Sequence, residues 1–186
     1  MNIKNATKVL KDFCDCLDDK YFLVYGTCLG AVREGNILKH DLDIDVGIMR
    51  EDFKMEYVNR LIKNGFSLYN MFGSLEFCME LSFRKLDVKV DLMFFYKEKN
   101  LIYNALCENG GRNGLGDLII HSYEPKLFEI NELAIEDNYF YSLGVDYIRA
   151  VYGENWRVPV EKWDWKTDHL CRDDGLKIKL IEKYGK

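Results

Sequence analysis

The most constraining feature of this chain of 186 residues is a run of three aspartates that alternate with apolar residues, HDLDIDVGI, between positions 40 and 48. Successive side chains of a β-strand point to opposite faces of a sheet, so Asp41, Asp43 and Asp45 are predicted to share one face. The other face is then formed by Leu42, Ile44 and Val46. Like charges on one face repel one another unless a cation relieves them. The pattern therefore predicts a strand from 42 to 48 that binds a metal ion.

The chemistry of the expected ligands indicates a hard divalent cation. Mg²⁺ and Mn²⁺ prefer carboxylate oxygens, and they are usually bound through one or two protein carboxylates together with phosphates of the substrate. An isolated Asp-x-Asp pair is common on solvated strands, so the pattern alone also fits a wet sheet edge. The residues that precede the aspartates favour a functional site.

A phosphate site is predicted upstream of the aspartates. A strand from 21 to 25 is followed by a Gly26-Thr27 turn and by a short helix from 28 to 33, which Gly35 ends. The free N–H groups and the dipole at the start of a helix attract anions. Gly26 and Thr27 are thus predicted to hold a phosphate, with Arg33 as a bidentate clamp and Asp41 in the same substrate-binding group.

A second acidic strand is predicted from 87 to 95, in the segment DVKVDLMFF. Val88, Val90 and Leu92 share one face of it, which places Asp91 on the opposite face together with Asp87 and Lys89. A solvated acid on an edge strand is the plain alternative for Asp91. The presence of the first acidic strand favours a catalytic role.

Two segments carry a resemblance to a known family. Residues 25 to 33, YGTCLGAVR, and 40 to 46, HDLDIDV, resemble the signature of the LicD and fukutin family within the nucleotidyltransferase-fold superfamily. That signature runs approximately Tyr-Gly-Thr-Leu-Leu-Gly-Ala-Val-Arg and then Trp-Asp-Asp-Asp-Ile-Asp, so this chain departs from it at Cys28, His40 and Leu42. The segment 152 to 159, YGENWRVP, is also similar to the family, and the resemblance covers roughly residues 20 to 160.

The resemblance implies both a fold and a reaction. The expected fold is α+β and nucleotidyltransferase-like, with a mixed β-sheet flanked by helices in one domain over 1–186. Asp43 and Asp45 are the implied metal-binding pair and Asp91 the third carboxylate, and all three are implied to be catalytic, with Mg²⁺ or Mn²⁺. The implied reaction moves a phosphocholine-like or alditol-phosphate-like group from a CDP-activated donor to a glycan hydroxyl, in the modification of surface glycans. In that reaction Asp91 orients and deprotonates the acceptor.

Two alternatives remain open at this stage. One is a nucleotidyltransferase that moves a nucleoside monophosphate onto a small molecule or a protein. The other is a nucleotide-binding module that has lost turnover, for which His40 and Leu42 are the hints because they replace family residues.

Composition limits the remaining classes. The net charge of −5 and the absence of a basic run argue against nucleic acid as the main partner, and 48% hydrophobic residues suffice for a buried core. No stretch approaches the roughly 20 apolar residues of a membrane span, and the N-terminus lacks the apolar centre of a signal peptide. A cytoplasmic protein with six reduced cysteines is expected. The oligomeric state stays open.

The other elements are predicted from periodicity and turn residues. Helices are expected over 3–19, 50–64 and 145–152, and strands over 66–72, 75–83, 100–106, 117–122, 127–130 and 132–140, with a Gly73-Ser74 hairpin turn. The glycine-rich segment 107–117 is interpreted as a hairpin loop, with Arg112 as an outside candidate for a phosphate contact. Trp163 and Trp165 are expected to pin the C-terminal segment, and His121 and His169 to be structural.

Overall fold

The computed structural model describes residues 3–108 and 114–185. Within these ranges the helices are α1 Ile3–Cys14, α2 Tyr25–Glu34, α3 Met55–Lys63, α4 Val145–Tyr152 and α5 Asp174–Tyr184. The strands are β1 Phe22–Leu23, β2 Asp43–Met49, β3 Ser67–Ser74, β4 Phe77–Lys85, β5 Val88–Glu98, β6 Leu101–Cys107, β7 Leu118–Tyr123, β8 Ile130–Ile135 and β9 Asn138–Leu143. Short 3₁₀ turns lie at Arg50–Asp52, Gly114–Asp117 and Pro125–Phe128.

These strands form an open mixed sheet in the order β3-β4-β5-β2-β1-β9-β8. The central pair, β2 and β5, is parallel, whereas β4 and β1 run antiparallel to their neighbours β5 and β2. The C-terminal end of β5 also pairs with β6, which in turn pairs with β7. The predicted α+β class with a mixed sheet is confirmed.

One face of the central strands is apolar and covered by α1 and α3. Ile44, Val46, Val90 and Leu92 on this face are completely buried. The helix α1 presents Val9, Leu10 and Phe13 at helical spacing, and the Phe13 ring packs edge-on against Phe83 of β4 at 5.6 Å between centroids. Each such side chain contributes about 1.5–3 kcal/mol through burial. Packing of this apolar face against the helices leaves the acidic residues of β2 and β5 on the opposite face of the sheet.

The entry into α2 differs from the prediction. The helix begins at Tyr25 rather than at residue 28, so Gly26 and Thr27 lie in its first turn and do not form a separate turn. Tyr25 has a positive φ of 43°, which a non-glycine residue adopts only where its surroundings hold it. Propensity alone gives no sign of such a residue. The predicted end at Gly35 is confirmed, since Gly35 is the left-handed C-cap with φ 61°.

The prediction that the strand begins at Leu42, with Leu42 on the face of Ile44 and Val46, is wrong. The strand β2 begins only at Asp43, and Leu42 precedes it with 76% of its surface exposed. The alternation of faces therefore holds for Asp43 to Val46, while Asp41 reaches the same region from the loop before the strand.

Other element boundaries also needed correction. The β3–β4 hairpin turns at residues 75–76, and Gly73, with φ 72°, lies in an irregularity of β3 instead. Residues 127 and 128 belong to a 3₁₀ turn that starts at Pro125, and the single strand expected over 132–140 is the β8–β9 hairpin. The helix α1 stops at Cys14, ahead of Asp18 and Asp19 with positive φ, and α3 starts only at Met55.

The sequence reading also missed α5. Asp173 caps it, since its carboxylate accepts a hydrogen bond of 2.8 Å from the Leu176 backbone N–H, and Leu176 and Leu180 are buried four residues apart. Arg112 and the rest of 109–113 in the glycine-rich loop lie outside the described residues. All six cysteines are free, and no helix in the described ranges is long and apolar enough to cross a membrane.

Candidate active site

The acidic residues of β2 and β5 meet on one face of the sheet. The parallel pairing places Asp43 opposite Lys89 and Asp45 opposite Asp91, so all four side chains project to the same side. Asp91 also pairs with Ser82 of β4 across the antiparallel ladder, two residues from Glu80. We call this side, defined by Asp43, Asp45 and Asp91, the acidic face.

A cleft of about 570 Å³ opens over the acidic face. Its charged lining residues are Asp41, Asp43, Asp45, Glu80, Lys89 and Asp91, and the first turn of α2 contributes Tyr25 and Gly26. Its aromatic and apolar lining residues include Tyr152, Trp156, Val158, Pro159, Val160, Trp163 and Trp165. The carboxylates suit a cation, and the aromatic rings suit a flat or apolar part of a ligand.

Asp45 is held by α2 and by Val24, the residue between β1 and α2. Its backbone N–H donates to the Thr27 hydroxyl oxygen at 2.8 Å, and its carbonyl accepts from the Val24 N–H at 3.3 Å. The side chain is only 9% exposed. Burial, and next the charges of Asp43, Asp41 and Asp91, raise the pKa of Asp45 well above its usual range.

Asp91 is the most deeply buried carboxylate of the acidic face, at 3% exposure. Its Oδ2 accepts a hydrogen bond of 2.6 Å from the Lys89 ammonium, which also reaches Asp43 Oδ2 at 3.3 Å. Burial raises the pKa of Asp91, and the Lys89 charge opposes this shift. Burial would lower the pKa of Lys89, but the attraction of Asp91 and Asp43 outweighs it and raises that pKa.

Asp41 lies against the start of α2. A Cβ atom added to Gly26 would collide with Asp41 Oδ2, so the absence of a side chain at 26 lets this carboxylate approach the helix. Asp41 Oδ1 accepts from the Leu42 N–H at 3.1 Å. Burial, and next the charge of Asp43, raise the pKa of Asp41 to about 6. Asp41 and Gly26 therefore lie side by side, as is needed if both are to contact the same part of a substrate.

The structure gives Thr27 a different position from the predicted one. Thr27 is completely buried, and its hydroxyl already accepts the Asp45 N–H. Its side chain therefore positions β2 rather than facing the cleft. Arg33 does line the cleft, where its guanidinium donates to Glu34 Oε1 at 2.9 Å and to the Trp156 carbonyl at 3.4 Å. Arg33 therefore forms an ion pair with Glu34 at the wall of the cleft.

Sequence reasoning missed Glu80. Burial, and next the charge of Asp91, raise the pKa of Glu80 to about 7. Its position follows from the register of β4 against β5, which the separate strand patterns do not contain. Lys89 was placed on the face of Asp91 by alternation, but its bridge to Asp43 depends on the parallel pairing of two strands far apart in the chain.

A buried polar cluster supports the cleft from beneath. The Tyr25 hydroxyl lies 2.9 Å from Asn104 Oδ1 and 2.8 Å from His121 Nδ1, and the His169 ring stacks on Tyr25 at 5.0 Å. Burial lowers the pKa of His121 to about 3 and that of His169 to about 4, so both imidazoles are neutral at physiological pH. These contacts hold Tyr25 in its left-handed conformation.

The two tryptophans of the C-terminal segment, Trp163 and Trp165, both line the cleft, and Trp163 also packs against the body of the protein. Trp163 packs against Tyr152 at 5.0 Å and against His169 at 5.8 Å between centroids, which attaches the segment to α4 and to the polar cluster. Trp163 and Trp165 also line the cleft. The expectation that they pin the segment describes part of the arrangement, since the same rings face the ligand space.

The donor set of the acidic face fits a hard divalent cation in chemical type. Its ligand atoms are carboxylate oxygens, and Asp91 Oδ1, like Asp41 Oδ2 beside the acidic face, is buried with no hydrogen-bond partner among the described residues. Within residues 3–108 and 114–185, however, no three His, Cys, Asp or Glu side chains already stand in a metal-holding arrangement. The Lys89 ammonium lies between Asp43 and Asp91 instead.

An open mixed sheet that carries two carboxylates on one strand and a third on its neighbour, beside a helix N-terminus, has the architecture of a nucleotidyltransferase-type domain. Residues 18–112 match the model of the family described as LicD/FKTN/FKRP, nucleotidyltransferase domain. The match covers just over half of the chain, which therefore belongs to this family.

Similar curated proteins agree with this assignment. The chain is 34% identical over 163 residues to the ribitol-5-phosphate transferase FKTN of Mus musculus, which covers 87% of this chain and 34% of the mouse protein. It is 33% identical over 147 residues to the protein of the same name in Homo sapiens, covering 78% of this chain and 31% of the human protein. The chain thus spans about a third of the length of these relatives.

Proposed function

We propose that this chain is a metal-dependent phosphotransferase that moves an alditol-phosphate-like or phosphocholine-like group from a CDP-activated donor to a hydroxyl of a glycan. Family membership and the names of the relatives, ribitol-5-phosphate transferases, support a transfer of this class. The observation that carries the proposal is the convergence of Asp43, Asp45 and Asp91 on one buried face under the cleft.

Asp43, Asp45 and Asp91 are the residues that would hold Mg²⁺ or Mn²⁺. When bound, such an ion neutralises the charge of a pyrophosphate group and of the nucleotide that leaves it. The protein supplies the rest by position. The Thr27–Asp45 hydrogen bond fixes β2, and the pairing of Asp45 with Asp91 fixes the distance between the two strands.

The donor phosphates are assigned to the start of α2 and to Arg33. Gly26 lines the cleft in the first turn of α2, where the helix has free N–H groups, and Arg33 lines the same cleft and would exchange its bonds to Glu34 and the Trp156 carbonyl for a phosphate. Trp163 and Trp165 provide ring faces in the cleft, on which the base of the donor stacks.

The acceptor is assigned to Asp91. Its carboxylate takes the proton of the glycan hydroxyl while the hydroxyl oxygen attacks the distal phosphorus of the donor. The bond from that phosphorus to the bridging oxygen breaks, and cytidine monophosphate leaves with the electron pair. Burial raises the pKa of Asp91, which makes it a stronger base than an exposed aspartate.

The test is a transfer assay with CDP-ribitol and CDP-choline as donors, in the presence of Mn²⁺ or Mg²⁺, on D43N, D45N and D91N. Each change is expected to lower kcat by about 100-fold or more, as loss of a transition-state contact does. The matched control is D87N, because Asp87 is an exposed acid on the turn before β5 with φ 60°, a conformation that asparagine tolerates. Full activity of D45N would reject the proposal.

The same assay separates the two alternatives when the donor carries a label in its base. A nucleotidyltransferase leaves the label on the acceptor, whereas the proposed reaction releases it as cytidine monophosphate. A non-catalytic module binds nucleotide without releasing either product.

A further inference from the structure

Lys89 is a cation built into the acidic face. Its ammonium contacts Asp91 Oδ2 at 2.6 Å and Asp43 Oδ2 at 3.3 Å, so a single charge bridges carboxylates from two strands. The parallel register places Lys89 directly opposite Asp43 and two residues before Asp91, and this fixes the bridge. The side chain is 31% exposed, while that of Asp91 is 5% exposed.

One ammonium leaves the cluster under-neutralised. Asp41, Asp45 and Glu80 line the same cleft, and Asp91 Oδ1 is buried with no hydrogen-bond partner among the described residues. A divalent cation at this position meets the same oxygens and brings twice the charge. It also repels the ammonium, so both cations cannot contact Asp43 and Asp91 at close range.

We propose that Lys89 is a tethered counter-cation, which holds Asp43 and Asp91 together in the metal-free chain and gives way when a divalent cation binds. This inference rests on the metal site of the proposed function. A lysine suits the task because its ammonium is strongly hydrated and its four-carbon stem is flexible, and its partial exposure leaves a path into the cleft.

The first experiment uses the wild-type chain and an amine-acylating reagent, with labelled lysines counted by mass spectrometry. Lys89 is expected to react slowly in EDTA and several-fold faster at saturating Mn²⁺. Lys85 is the internal control, because it forms a comparable ion pair of 2.7 Å with Asp12 on the opposite face of the sheet. Its labelling is expected not to change with Mn²⁺.

The second measurement is the affinity for Mn²⁺ alone, by titration calorimetry, in Lys89→Met and Lys85→Met. Removal of the competing ammonium is expected to tighten Mn²⁺ binding about tenfold or more at Lys89→Met and to leave it unchanged at Lys85→Met. A wild-type chain that binds Mn²⁺ with no change in Lys89 labelling would overturn this inference and leave the proposed function intact. A wild-type chain that binds no Mn²⁺ would overturn both.

Discussion

At the scale of single residues, Thr27 shows how a buried hydroxyl can support a site that it does not enter. The strand β1 ends at Leu23, and the Thr27 oxygen replaces the missing strand as the acceptor for the Asp45 N–H. Thr27→Val keeps a similar shape but leaves this buried donor unpaired, which costs about 1–3 kcal/mol. We expect a lower Tm and a lower kcat for Thr27→Val, with both restored in Thr27→Ser, as measured by thermal unfolding and transfer assays. Equal stability of the valine and serine variants would contradict this role.

Glu80 makes a separate prediction about pH. Its pKa in the folded chain is about 7, above the ordinary value of 4.5, so the folded state binds more protons than the unfolded state between these values. Stability attributable to Glu80 therefore falls as pH rises through this window, and the loss is complete above about pH 7.

The measurement compares Glu80→Gln with wild type in EDTA by chemical unfolding at several pH values. The variant is expected to gain stability relative to wild type as pH rises from about 4.5 to 7, by up to about 3 kcal/mol. His121 and His169 titrate in the same way in both proteins and cancel in the difference. Glu76→Gln, at an exposed position of the same hairpin, is the control. A difference independent of pH would refute the shift at Glu80.

At the scale of elements, the contact between α2 and the loop before β2 leaves no room for a side chain at Gly26. Gly26→Ala adds a methyl group where Asp41 Oδ2 lies, but it also improves helix propensity by up to about 1 kcal/mol. We expect an unchanged or higher Tm together with a weaker donor affinity, seen as a raised KM. Gly175→Ala is the control, because a Cβ there meets only an ordinary 3.6 Å contact in the first turn of α5. An unchanged KM in Gly26→Ala would show that Asp41 and Gly26 do not bind the donor.

Elements that depend on local sequence patterns were predicted, whereas features that depend on distant contacts were not. The helix α4 was predicted with its observed bounds, and the bodies of β2 and β5 were predicted because alternation is a local signal. The start of α2 was not predictable, because Tyr25 is held by Asn104 and His121, about 80 and 96 residues away. The positions of Glu80 and Lys89 in the site depend on strand register, which is likewise set by distant partners.

At the scale of the whole molecule, the sheet separates its two tasks by face. The face under α1 and α3 is apolar and supplies stability, while the acidic face collects buried like charges that lower stability. The buried carboxylates with raised pKa are the expected signature of a functional site. The buried apolar face therefore offsets the stability that is lost at the acidic cleft.

A titration of Mn²⁺ followed by electron paramagnetic resonance tests whether carboxylates of two strands bind one divalent cation. We expect one Mn²⁺ per wild-type chain and an affinity weaker by at least about tenfold in D43N, D45N and D91N. The D87N control should bind as wild type does. An affinity in D91N equal to that of wild type would contradict the claim, because it would show that β5 takes no part in the site.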